Sequence, residues 1–116
     1  MNIAKITAAL KQYHVVLEPD KNVTDWWAGA PSAALGADGA FYVAARMREA
    51  DSPRGRRGYE IRILKSTDGI HFATVNRLTR EAAGVEGFER PALVFDRASG
   101  KFRLYGCATD GRGWWI

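Results

Sequence analysis

The chain has 116 residues, room for one domain with a modest core, and its hydrophobic (47%) and charged (26%) fractions are those of an ordinary globular protein. The single cysteine, Cys107, excludes an intrachain disulfide and a thiolate metal site, and its apolar strand context makes it a small buried hydrophobe first. The formal net charge of +4 is mild and comes largely from Arg54, Arg56 and Arg57, a cluster that reads as a solvated loop, so nucleic acid is not an expected partner.

Ile3, Ile6 and Leu10 recur at helical spacing, which predicts a short helix within residues 2–12. The same stretch lacks a long apolar run followed by a small-residue cleavage site, and nothing downstream has the length of a membrane span. A cytoplasmic protein with no membrane partner is the expectation. His14 to Glu18 reads as a strand that Pro19 ends, so the N-terminal segment 1–29 is expected to hold one strand. A polar loop from Asp20 to Thr24 leads into Asp25, Trp26 and Trp27.

Two apolar runs, near residues 31–36 and 40–48, flank Asp38-Gly39, a strong hairpin signal. After the polar loop 49–58, Tyr59, Ile61 and Ile63 alternate with Glu60 and Arg62 as a third strand, and Asp68-Gly69 turns it into a short fourth strand, Ile70 to Val75. Residues 30–75 thus form one antiparallel four-stranded sheet. A connection follows, with a helical turn at Arg80 to Ala83. A second hairpin is expected at 91–96 and 101–108 around Ser99-Gly100, and Trp114-Trp115-Ile116 begins a further strand. The second sheet, 88–116, is one strand short, and strand 14–18 or a neighbouring copy is a candidate to complete it.

The two hairpins share a plan. Pro31 aligns with Pro91, about sixty residues away, and Leu35 aligns with Phe95; after one inserted residue Gly39 meets Gly100 and Phe41 meets Phe102. A repeat of this period predicts stacked sheet modules, an all-β fold of about two propeller-like blades in a single domain, completed by oligomerisation. Following the meander, the tight turns at Asp38-Gly39, Asp68-Gly69 and Ser99-Gly100 fall at one end. The other end gathers Asp25, Trp26, Trp27, the loop 49–58, Glu89, Arg90 and Asp110. Indole faces beside carboxylates and arginines suit a sugar, with ring faces stacked and hydroxyls hydrogen-bonded to charged groups.

Ala30-Pro31-Ser32, Asp38-Gly39-Ala40-Phe41-Tyr42, Arg57-Gly58-Tyr59-Glu60-Ile61-Arg62-Ile63, Ser66-Thr67-Asp68-Gly69-Ile70-His71-Phe72 and Phe88-Glu89-Arg90-Pro91 together resemble the five-bladed β-propeller glycosidases: the arabinanase, xylosidase and invertase group, with the related β-mannoside phosphorylases. The resemblance spans residues from about 25 to 116 and covers a two-blade fragment. It implies carboxylates at the inner ends of first strands, one as base or nucleophile and one as acid. The chain departs from that pattern: Ala30 stands where relatives often carry aspartate before the first-blade proline, Glu89-Arg90-Pro91 replaces the invertase-like Arg-Asp-Pro, and later blades are absent.

Glu89 is therefore the candidate acid or sugar-binding carboxylate, against the plainer reading of a salt bridge to Arg90 or another arginine. Asp25 is the candidate replacement for the missing aspartate, or a turn residue. Trp26 and Trp27, adjacent in an extended chain, point to opposite sides, so one belongs to packing and the other to ligand. Arg46, Arg57 and Arg90 are candidates for a substrate oxygen or carboxylate, and Asp110 for a sugar hydroxyl or a turn. His14 and His71 lack metal-ligand spacing, and no glycine-rich phosphate loop opens a helix, so neither metal nor cofactor is expected. The expected function is a glycosidase-related carbohydrate-binding module, catalytic only if partner chains complete the site. The alternative is a self-assembling module with no substrate, built on unpaired strand edges.

Overall fold

The structure, a computed structural model, describes residues 3–50 and 58–116. Among these, a short helix α1 (Ile3–Ala9) precedes strands β1 (Trp27–Leu35), β2 (Phe41–Arg48), β3 (Gly58–Ser66) and β4 (Ala73–Thr79). A helical turn α2 (Arg80–Ala83) leads to β5 (Gly87–Asp96), β6 (Lys101–Thr109) and the two-residue β7 (Trp114–Trp115). The chain is mostly β, and its antiparallel sheet curls into a half-barrel. Its radius of gyration is 15.8 Å, against roughly 13 Å for a compact domain of about this length, which fits an open curl.

Both hairpins form where turn chemistry places them. Leu35 pairs with Phe41 and Phe95 with Phe102, so the two members of the aligned repeat close at equivalent registers. Only the glycine of each turn has positive φ: Gly39 at 74°, Gly69 at 75° and Gly100 at 67°. These are not two-residue turns with two left-handed positions. They are longer loops in which a carboxylate caps the chain and one glycine reverses it. Asp38 accepts from the Ala40 N–H (3.2 Å), and Asp96 accepts from the Ala98 N–H (3.0 Å) and the Ser99 hydroxyl (2.7 Å). The hairpins meet through rings at this end, with Tyr42 and Phe95 lying 4.4 and 5.0 Å from Phe102 between centroids.

The sheet is continuous, where the repeat predicts separate modules. Strand order is β1-β2-β3-β5-β6-β7, with β4 also on β3. The seam is a single pair, Gly58 with Phe88, because β4 occupies β3 from Glu60 onward. Ala44, Ile61, Val85, Phe88, Leu93 and Ala108 form the core within the curl. In β5, Pro91 and Leu93 are buried while Ala92 and Val94 face out, the alternation of a half-buried strand.

Two expected strands differ. His14 to Glu18 forms no strand and is not part of the sheet. Val16 and Leu17 line a shallow hollow with Ala28, Val43, Ala45 and Leu64, on the face opposite the core, and Asp20 pairs with Arg62 and accepts from the Tyr59 hydroxyl (2.6 Å). A segment laid across a sheet face cannot reach ladder groups at its edge, so it completes no sheet. This cover also buries Glu60 and Arg62, which pair with each other and which alternation alone assigns to solvent. The fourth strand begins at Ala73 rather than Ile70, because the Ile70 and His71 N–H groups donate to the Asp68 carboxylate (2.8 Å each) and are consumed in the turn. The helical turn at Arg80 to Ala83 forms as expected. Thr79 caps it by accepting from the Ala82 N–H (3.2 Å), and Gly84, at φ 67°, ends it. No helix among the described residues is long and apolar enough to cross a membrane.

Candidate functional site

At the end opposite the tight turns, two irregular strand segments face each other. The β1–β2 register shifts between Gly29 and Ser32, where Ala30 takes φ 50°, and the β5–β6 register shifts between Phe88 and Pro91. Proline lacks the ladder donor, and Pro31 lies inside the first shift while Pro91, opposite Gly106, closes the second. Bulges re-aim side chains, and between these two opens a hollow of about 540 Å³ lined by Trp27, Ala30, Pro31, Ser32, Arg46, Arg90 and Pro91. The Leu93 N–H donates to Ser32 Oγ (2.9 Å), fastening β5 beside β1 although the two are not ladder partners.

Glycines shape this hollow at two positions. A Cβ on Gly29 would meet the Trp27 ring, with Cε3 at 2.7 Å, so the indole folds back over its own strand only because residue 29 is bare. A Cβ on Gly58 would lie 2.5 Å from Arg46 Cγ and 2.7 Å from its Cδ, so the Arg46 stem rests on the seam between β3 and β5.

Arg46 is buried at 4% exposure and pairs with Glu89, which the bulge in β5 turns toward it. Its guanidinium carbon stands 4.8 Å from the Trp27 ring centroid, and that of Arg48 stands 5.5 Å from the same ring. The Nε of Arg46 is buried with no hydrogen-bond partner among the described residues. Burial first, then the like charges of Arg48 and Arg90, lower the proton affinity of Arg46.

The structure thus brings together Trp27, Arg46, Glu89 and Arg90. It keeps Trp26 away: that ring packs on Tyr59 at 5.7 Å, with the Lys21 ammonium 4.4 Å above it. Asp25, in a turn at φ 70°, does not line the hollow. Asp110 is clamped by Arg112 (2.6 Å), which lowers its carboxyl below the usual range, and it too lies off the hollow. Arg57, with Arg54 and Arg56, falls outside the described residues. Arg48 and Ser32 complete the surroundings and were not singled out from sequence. The signal for Arg48 was present: two residues from Arg46 in a strand, it shares that face.

Chemically, the hollow offers an indole edge, buried and surface guanidinium groups, and Glu89 as a carboxylate within reach through Arg46. Among the described residues no cluster of His, Cys, Asp or Glu is arranged to hold a metal ion. No family model, no curated protein and no solved structure matches this chain.

Proposed function

We propose that the protein is a carbohydrate-binding module of the β-propeller glycosidase type, its sugar seated in the hollow between the two bulged strands. The observation that carries this reading is the convergence of Trp27, Arg46 and Arg90 on one opening at the loop end of an antiparallel scaffold, with Glu89 paired to Arg46 beside it. The indole edge supplies an apolar surface for sugar C–H groups, while arginine and carboxylate groups match hydroxyls. The two hairpins close at equivalent registers, as a repeated hairpin plan requires. Glycoside hydrolysis uses two carboxyl groups flanking the bond, and among the described residues Glu89 alone adjoins the hollow. Binding, with hydrolysis only when another chain adds the second carboxylate, is therefore the form of the reading these residues support.

Calorimetry against a panel of mono- and oligosaccharides tests it. At least one saccharide should bind saturably, and Trp27→Ala should weaken it about tenfold, the ~1.4 kcal/mol of one aromatic contact. No binding to any saccharide would overturn the proposal.

A second reading, a self-assembling module, is favoured by the outer edge of β6. There β7 pairs only with Ala108 and Thr109, and Phe102, Tyr105, Trp114 and Trp115 are exposed. Light scattering decides it: a concentration-dependent oligomer supports assembly, and a monomer at all concentrations removes it.

A further inference from the structure

We propose that the hollow selects an acidic saccharide, a sugar bearing a carboxylate such as a uronate; this rests on the carbohydrate reading above. Positive charge outweighs negative around the hollow. Arg46, Arg48 and Arg90 surround the Trp27 side of the hollow, and Glu89 is the carboxylate paired there. Arg46 carries its charge at 4% exposure, where water cannot solvate it, and its Nε has no partner among the described residues. Charge held at so low an exposure is costly, and an anion in the hollow offsets it. A neutral hydroxyl leaves the surplus positive charge, whereas a carboxylate offsets it, and its planar pair of oxygens matches the fork of Arg90, which lines the hollow at an exposed position. The proximity of Glu89 favours a monoanion over a dianion, because a phosphate would set two charges beside the existing carboxylate.

The experiment is calorimetry on the full chain with glucuronate and galacturonate, the matched neutral sugars glucose and galactose, and acetate and inorganic phosphate as sugar-free anions. One uronate should bind at least about tenfold tighter than its neutral counterpart, and raised salt should weaken the uronate selectively. Arg90→Gln, a change at an exposed position, should erase most of that preference while the protein melts as the parent does. Arg46→Lys, which keeps the charge and loses the fork, should reduce it as well. Equal affinity for uronate and neutral sugar would overturn the acidic-sugar proposal and leave carbohydrate binding standing. Phosphate binding tighter than uronate would overturn the carboxylate assignment. Acetate binding as tightly as uronate, with neutral sugars inert, or no binding at all, would overturn both this inference and the carbohydrate reading.

Discussion

Replacing Gly58 by alanine should damage the fold and the hollow together. The new Cβ would sit 2.5 Å from Arg46 Cγ and 2.9 Å from the Phe88 carbonyl oxygen, against about 3.5–4.0 Å for an ordinary carbon contact. The Arg46 stem has room to give only by leaving Glu89. The Phe88 oxygen is backbone and gives only if Gly58 and Phe88, the one pair joining β3 to β5, separate. Overpacking of this kind costs about 1–3 kcal/mol, while alanine returns about 0.4–1 kcal/mol by restricting the unfolded chain. The net is a loss between about 0 and 2.6 kcal/mol, about 1.3 kcal/mol at the middle of the range, or about 5 °C in melting temperature for a domain near this size. Thermal circular dichroism reads the stability and saccharide calorimetry reads the site. Gly113→Ala is the control, since a Cβ there meets nothing within 4 Å. A Gly58→Ala protein that melts at or above the parent and binds as it does would refute the placement of Arg46 on the seam.

Gly29→Ala should push the Trp27 ring off its strand and weaken saccharide binding as far as Trp27→Ala does, with a melting temperature within a few degrees of the parent because Trp27 is only half-buried; unchanged affinity would contradict the folded-back indole. Acid should destabilise the protein through its hairpin carboxylates. The Lys65 contact and then the Ala40 N–H hold Asp38 down at about 2, and Arg103 and then the Ser99 hydroxyl hold Asp96 down at about 2. A carboxyl titrating lower in the folded chain lends stability that is whole above the ordinary value of 3.8 and lost as pH falls through about 2. Urea midpoints should therefore hold above pH 4 and fall below it, with a shallower fall in Asp38→Asn; a flat profile down to pH 2.5 would contradict this. Removing residues 1–12 should leave the melting temperature within about 2 °C of the parent, since α1 buries no residue, and a large loss would show that α1 is docked.

Much of the sheet was legible because its hairpins announce themselves locally. Asp38-Gly39, Asp68-Gly69 and Ser99-Gly100 encode reversals in a few residues, and the Pro31/Pro91 alignment finds equivalent strands whose registers agree. Strand alternation predicts that Trp26 and Trp27 part; they do part, but because Trp26 belongs to the turn after Asp25 and packs on Tyr59, while Trp27 opens β1 and lines the hollow. What sequence could not supply are facts about which surface covers which. Val15-Val16-Leu17 has a strand's composition, but edge pairing and face packing demand the same residues, and here the segment lies on the face. Glu60 and Arg62 read as solvent-facing until that cover buries them. The Arg46–Glu89 pair joins residues 43 positions apart across a one-pair seam, and no local pattern marks Gly58 as the residue that lets it form.

The central claim is that the ligand enters beside Trp27 and beside no other indole. The protein has four tryptophans, so an amide-correlation NMR spectrum carries four assignable indole N–H signals. On titration with the tightest-binding saccharide, the Trp27 signal should move to saturation with the calorimetric affinity, while those of Trp26, Trp114 and Trp115 stay fixed. A titration in which Trp27 is unmoved, or in which Trp114 and Trp115 move instead, would contradict the account.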